Sequence, residues 1–374
     1  MISCGEASGD LYAAALLASL RSIDPHVEAF GFGGERLQRA GAELIGDYRG
    51  VSVTGLVEAF GVLRKSWQML RTLGEAARER RPDVFVAVDF PDFNFRLLPV
   101  MHKLGIPVVY YVSPQLWAWR AGRLQTLKKY VAKMLVIFPF EQEMYEQAGV
   151  PVEFVGHPLV DLARATHPRE AFLPALGLEA PAPTVGLLPG SRPNELRLIL
   201  PDLAAAARLV ARDVPGVQFV VARAPALEDA LFEPVVSLRS AGIRVAMVEG
   251  AADDVLAACD VVVTASGTAT VQTALHGRPM VIVYRLSPTT YRIGRRFVRV
   301  STYGMVNLVA GRQVVPELIQ DQFTPENVAR ETVSLLRDPA RVATMTDDLA
   351  DVCRKLGGPG ASMRAAAAVR AVFQ

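Results

Sequence analysis

One pattern constrains this chain more than any other. Short apolar, β-branched runs recur at Asp83–Val88, Pro107–Val112, Met134–Phe138, Thr184–Leu188, Val217–Val221, Arg244–Val248, Val261–Thr264 and Met280–Tyr284. Segments of helical periodicity, such as Leu203–Arg212 and Glu326–Leu336, lie between them. Alternation of this kind predicts βαβ units and parallel sheet, hence an α/β fold. Several runs end in a Gly, Ser or Asp turn that leads into a helix. In open α/β sheets ligands bind beyond those carboxyl ends, so the turns are the places to look for chemistry.

Length divides the pattern in two. With 374 residues, two domains is the natural expectation. Pro168, Pro174, Pro181 and Pro183 crowd the stretch between Val160 and Pro183, which reads as a linker. The expected domains are 1–165 and 166–354, with a closing Ala-rich helix within 355–374 that crosses back onto the first. Hydrophobic residues at 51% and charged residues at 21% supply large cores and exclude disorder.

Charge argues against some partners and for others. A net charge of +2 disfavours bulk nucleic-acid binding. No apolar run approaches the ~18 residues of a membrane span. Acids at Glu6 and Asp10 and the lack of a basic start argue against a signal peptide. Cys4, Cys259 and Cys353 are few and far apart, as expected of reduced thiols rather than of disulfides or a zinc site. Yet Phe93–Phe140 carries Arg96, Lys103, Arg120, Arg123, Lys128, Lys129 and Lys133 with no acid. Val261–Pro316 likewise carries only Arg278, Arg285, Arg292, Arg295, Arg296, Arg299 and Arg312. Buried parallel strands explain missing acids but not seven cations in each window; a field of one sign attracts phosphate, pyrophosphate or an anionic membrane.

Five strand-end motifs follow. In Ser3–Asp10, Gly5 and Gly9 allow tight backbone, and Glu6, Ser8 and Asp10 stand at a helix start; Ser8 and Asp10 read equally as helix caps. In Val86–Asn94, Asp89 ends a buried strand as a candidate general base, or else caps the next helix, as Asp92 does. Tyr110–Arg120 brings Ser113, Trp117, Trp119 and Arg120 past another strand end, as a sugar-stacking and phosphate-gripping set or as core aromatics. Leu187–Arg192 exposes the N–H groups of Gly190 and Ser191 beside Arg192, a phosphate-binding arrangement that is not a Walker loop. Val263–Gln272 offers Ser266, Gly267, Thr268 and Ala269 to a diphosphate and Gln272 to a ribose, with Ser266 or Thr268 as plain caps the alternative. Glu249, past the run Arg244–Val248, joins the substrate-binding candidates. Gly5 to Gly9 lacks the G-x-G-x-x-G spacing of a dinucleotide dehydrogenase.

Taken together, these segments resemble the lipid-A-disaccharide synthase family of bacterial GT-B glycosyltransferases. The carriers are Gly5–Asp10, Pro91–Asn94, Tyr111–Pro114 with Trp117–Arg120, Gly156-His157, Leu187–Arg192, Ala265–Ala269, and Asn307-Leu308 with Ala310–Arg312. The resemblance implies two Rossmann-like domains facing across a cleft, acceptor and lipid on the first and UDP-sugar on the second. It implies transfer of 2,3-diacylglucosamine from UDP to 2,3-diacylglucosamine 1-phosphate, giving a β-1,6 disaccharide and UDP with inversion, and no cofactor or metal. Asp89 matches the family's candidate base, Arg192 a residue at the donor phosphates and Asn307 a polar site residue. Gln272 departs from the family, which often has Glu there. The resemblance also implies a cytoplasmic enzyme held peripherally at the inner face of the inner membrane, and leaves a homo-oligomer open. Leu56, Val57, Phe60, Leu63 and Trp67 near one helical face, with the Arg285–Arg299 cluster, form the expected membrane surface. Another UDP-sugar enzyme of the same fold, such as the muramyl-pathway transferase or UDP-GlcNAc 2-epimerase, and a binding module without turnover are the competing readings.

Overall fold

The computed structural model describes residues 1–48, 59–114, 121–225, 227–287 and 302–373, without the side chains of 59–63 and 121. They form two compact units, Met1–Pro158 with Leu356–Gln374, and Leu159–Lys355. Each is a parallel sheet sandwiched between helices, a Rossmann-like α/β layer structure.

The first unit holds seven strands, β1 (Ile2–Cys4), β2 (Phe30–Gly33), β3 (Glu43–Asp47), β4 (Phe85–Val88), β5 (Val108–Tyr111), β6 (Lys133–Val136) and β7 (Val152–Phe154). They run in the order β3-β2-β1-β4-β5-β6-β7, all parallel. Both faces are covered, so the central strands are buried throughout and read as unbroken apolar runs. Phe32, Phe85, Leu97, Tyr110 and Val136 lie in the core. The sequence pattern misses β2 and β3. Gly31 in β2 looks like a turn residue, but it is there because the neighbouring strand comes close. Its φ is +152°, and a Cβ would stand 1.9 Å from the Ile2 carbonyl oxygen.

The second unit holds β8 (Thr184–Leu188), β9 (Gln218–Arg223), β10 (Val245–Glu249), β11 (Val261–Ala265), β12 (Met280–Tyr284) and β13 (Glu317–Ile319). Their order is β10-β9-β8-β11-β12-β13, again parallel. The proline-rich stretch is no free linker. It includes the helices Leu159–Leu162 and Arg169–Ala175 and is fastened to this unit. Arg169 donates to both carboxylate oxygens of Asp260 at 2.7 and 3.0 Å. The buried Asp254 takes the backbone N–H groups of Thr166 and His167 at 2.6 and 2.9 Å.

The final helix, Ala361–Phe373, packs on Glu6–Ile23 in the first unit. Arg364 secures it by donating to the Val155 carbonyl at 2.9 Å. Among the described residues, no helix is long and apolar enough to cross a membrane.

Candidate active site

Each sheet has one point where the chain's direction of travel reverses, between β1 and β4 in the first and between β8 and β11 in the second. In open α/β sheets the strand-end loops diverge at such a point, which is the usual binding place. Both points gather residues singled out by the sequence.

In the first unit Cys4 pairs with Val88, so the turns after β1 and β4 leave side by side. Backbone strain concentrates here. Glu6, Asp89, Phe90 and, after β5, Val112 have φ of 63°, 46°, 50° and 68°, left-handed values that side-chain-bearing residues avoid. Each costs on the order of 1–3 kcal/mol and persists only where surroundings hold it. Asp89 and Phe90 together turn the chain from strand into the helix Pro91–Lys103. Asp89 is half-buried at the sheet end, and Glu6 is exposed as the first residue of the helix Glu6–Ile23.

Two expected caps act otherwise. Gly5, not Ser8 or Asp10, is the N-cap of Glu6–Ile23. Ser8 lies half-buried inside that helix. Asp10 is buried, and its carboxylate accepts from the N–H groups of Gly34, Arg36 and Leu37 at 2.8, 3.0 and 3.2 Å. It therefore anchors the start of the helix Glu35–Arg39. Asp92 stands exposed in the first turn of its helix and pairs with Arg123 at 2.7 Å. Ser113 is buried, shares a 2.8 Å hydrogen bond with the Tyr145 hydroxyl and donates to the Pro114 carbonyl at 2.9 Å. Trp117, Trp119 and Arg120 lie outside the described residues.

In the second unit Leu188 pairs with Thr264, which sets the loops Pro189–Arg192 and Ser266–Gly267 beside each other. Gly190 and Gly267 have φ of 114° and 148°, values that call for glycine. Gly267 opens the helix Thr268–Leu275 with no side chain capping it, and a Cβ at Gly267 would meet open space. The N–H groups at Thr268 and Ala269 thus stand at an uncovered helix start, where an anion is stabilised. Ser266 does not cap the helix; its hydroxyl donates to the Tyr303 carbonyl at 3.2 Å.

The loop Pro189–Arg192 is more occupied than the sequence implies. The Glu195 carboxylate accepts from the N–H groups of Ser191 and Arg192 at 3.2 and 3.3 Å and from the Arg192 guanidinium at 3.0 Å. Glu195 thus supplies the acid half of a capping box at the start of Pro193–Asp213, while Arg192, a donor only, keeps its side chain 55% exposed.

Gln272 donates through Nε2 to Asp253 at 2.7 Å, and the same carboxylate oxygen meets His276 Nε2 at 2.8 Å. This turns the Gln272 amide nitrogen toward Asp253, and the side-chain carbonyl can only accept. Glu249 pairs with Arg223 at 3.2 Å. Asn307 is held within the fold. It is wholly buried, and its amide donates to the Val315 carbonyl and Glu317 at 3.0 and 2.6 Å. Its carbonyl accepts from the N–H groups of Val314 and Val315 at 2.7 and 3.0 Å. Two donors and two acceptors occupy the amide, so Asn307 braces the chain from Val314 to Glu317.

Sequence reasoning also misplaced Arg285. Its guanidinium pairs with Asp202, donates to the Phe323 carbonyl and lies 4.7 Å from the Phe323 ring centroid, which removes it from any free cationic surface. Arg292, Arg295, Arg296 and Arg299 lie outside the described residues, as do Leu56 and Val57, and the Phe60 and Leu63 side chains are likewise undescribed. Trp67 is 61% exposed beneath the Arg96 guanidinium. Burial disfavours the thiolates, raising Cys4 well above the usual range, Cys259 to about 12 and Cys353 to about 11. Among the described residues no three His, Cys, Asp or Glu side chains converge as a metal site requires.

Comparison with known proteins supplies the remaining evidence. A family model described as lipid-A-disaccharide synthetase matches residues 1–372. The lipid-A-disaccharide synthase of Myxococcus xanthus (strain DK1622) is 45% identical over 370 residues, 99% of this chain and 96% of its own. That of Geobacter metallireducens (strain ATCC 53774 / DSM 7210 / GS-15) is 42% identical over 372 residues, with the same coverage of 99% and 96%. Among solved structures, UDP-GlcNAc 2-epimerase from Neisseria meningitidis bound to UDP-GlcNAc is similar with a TM-score of 0.70 at 14% identity, covering 96% of each chain. The calicheamicin glycosyltransferase CalG4 follows with a TM-score of 0.56 at 18% identity, covering 99% and 97%. At such identities the structural likeness speaks for the fold alone, a pair of GT-B-type domains.

Proposed function

The chain belongs to the lipid-A-disaccharide synthase family and is a glycosyltransferase of lipid A biosynthesis; from that premise we propose that it moves 2,3-diacylglucosamine from UDP to 2,3-diacylglucosamine 1-phosphate, with inversion at the donor carbon. The observation that carries the reading is the placement of Asp89 and Arg192 at the reversal points of their respective sheets. Asp89 takes the proton of the acceptor's 6-hydroxyl as that oxygen attacks the anomeric carbon. The bond from that carbon to the diphosphate breaks, and UDP leaves with the electron pair. Arg192 and the N–H groups at Thr268 and Ala269 stabilise the charge that develops on the diphosphate. The second unit thus serves as the donor side and the first as the acceptor side. Gln272, through its carbonyl, meets the ribose.

Both substrates carry acyl chains, so we place the enzyme against the cytoplasmic face of the inner membrane. The exposed Trp67 is the described residue that supports this docking.

The test is UDP release from UDP-diacylglucosamine with and without the monosaccharide 1-phosphate. Release that depends on the acceptor and falls about 10²–10⁴-fold in Asp89→Asn is the expected result. Release without acceptor, or wild-type turnover in that variant, would overturn the assignment.

A further inference from the structure

The turn that carries Asp89 is held from beneath by two side chains that the reaction itself does not require. Asn94, wholly buried, donates through Nδ2 to the Asp89 carbonyl at 2.7 Å. The Tyr110 hydroxyl, on the neighbouring strand, donates to the same oxygen at 2.8 Å. A carbonyl has two lone pairs, and these two donors use both. The Asp89 N–H is fixed as well, donating to the Tyr111 carbonyl at 2.9 Å.

The donors are themselves prepared. Ser3, in β1, gives its hydroxyl to Asn94 Oδ1 at 2.6 Å, which orients the amide so that its nitrogen faces Asp89. Asn94 Nδ2 also reaches the Ser3 carbonyl at 3.3 Å. Burial pushes the Tyr110 hydroxyl well above its ordinary range, so it stays protonated and remains a donor. Two elements, β5 and the helix Pro91–Lys103, therefore converge on one peptide group, and β1 braces the second of them through Ser3. That group belongs to the first of two consecutive left-handed residues, Asp89 and Phe90. A relaxed, extended Asp89 would point its Cβ in another direction.

We propose that Asn94 and Tyr110 are positioning residues for Asp89, clamping its carbonyl so that the strained turn keeps the carboxylate in the attitude the acceptor requires. The inference rests on the reading of Asp89 as the base. Small displacements of a catalytic group reduce turnover by as much as about 100-fold, while binding at a separate site is untouched.

The experiment is a double-mutant cycle on the full chain. Tyr110→Phe, Asn94→Leu and Asp89→Asn are made singly, and each of the first two is combined with Asp89→Asn. Turnover, UDP affinity and thermal unfolding are measured for all. The expected result is a kcat loss of roughly 10–100-fold in Tyr110→Phe and Asn94→Leu at unchanged UDP affinity, and no further loss when either is added to Asp89→Asn. Tyr110→Phe removes one oxygen and keeps the ring, so it carries the test if Asn94→Leu does not fold. Wild-type kcat in Tyr110→Phe, or equal losses with and without Asp89, would overturn this inference alone. Wild-type turnover in Asp89→Asn would overturn the reading beneath it and this inference with it.

Discussion

Gly5 lies against the face of the Phe90 ring so closely that a Cβ built on it would stand 2.4 Å from two ring carbons. Its backbone is extended, with φ −122°, so conformational freedom is not what requires glycine there. Space is: the turns after β1 and β4 leave their strands together, and Phe90 also stacks on Phe32 and Phe93. Gly5→Ala must push the ring and with it the strained turn. The expected outcome is a stability loss of about 1–3 kcal/mol with reduced turnover, read by denaturant unfolding and a UDP-release assay.

At the other reversal point the prediction concerns charge. Arg192→Ala removes a charge-assisted contact worth about 1.5–3 kcal/mol, so UDP should bind roughly 10–150-fold more weakly by titration calorimetry. Glu195→Gln retains an acceptor for the loop N–H groups but removes the negative charge 3.0 Å from the guanidinium. UDP should then bind more tightly, by a few-fold. Weaker binding in Glu195→Gln would show instead that the carboxylate holds Arg192 in its working position.

The buried His157 imposes a pH dependence on the first unit. Burial lowers its pKa from 6.5 to about 3, so the folded protein keeps it neutral where the unfolded chain protonates it. Its contribution is present in full above pH 6.5 and declines as pH falls toward about 3. Between pH 7 and 5 this amounts to about 2 kcal/mol of lost stability. His157→Phe should flatten the fall in unfolding free energy over that interval; an unchanged slope would assign the acid sensitivity to other groups.

Membrane docking predicts a role for Trp67. In co-sedimentation with vesicles of anionic phospholipid, Trp67→Ser should leave more protein in the supernatant at every salt concentration, because the lost term is apolar. Equal sedimentation of variant and wild type would remove Trp67 from the docking face.

The strands of both sheet centres were legible because burial on two faces demands continuous apolar runs, as in Phe85–Val88 and Val261–Ala265. Strands β2, β3 and β13 were not, being short, glycine-bearing or half-exposed. Asp89 and Arg192 stood out because a charged residue at a strand end is conspicuous. What each side chain touches was not readable. Arg285 looked like a free cation because its partner Asp202 lies 83 positions upstream. The partners of Asn307 were not readable either, because Val314 and Val315 precede β13 and Glu317 opens it, on a path only the fold defines. Glu195 was a visible signal left unread, three residues after Arg192 where a capping box places its acid.

The helix Ala361–Phe373 has a consequence for the order of synthesis. It is made after Leu159–Lys355, yet it belongs with Glu6–Ile23, made before that unit. The whole of Leu159–Lys355 must emerge from the ribosome before the first unit receives its closing piece. At about 5–20 residues per second that is a wait of roughly 10–40 s. Throughout it, the surface that later receives Ala365, Ala366 and Val369 stands bare to water. A chain cut short within Leu159–Lys355 would therefore keep that apolar face uncovered.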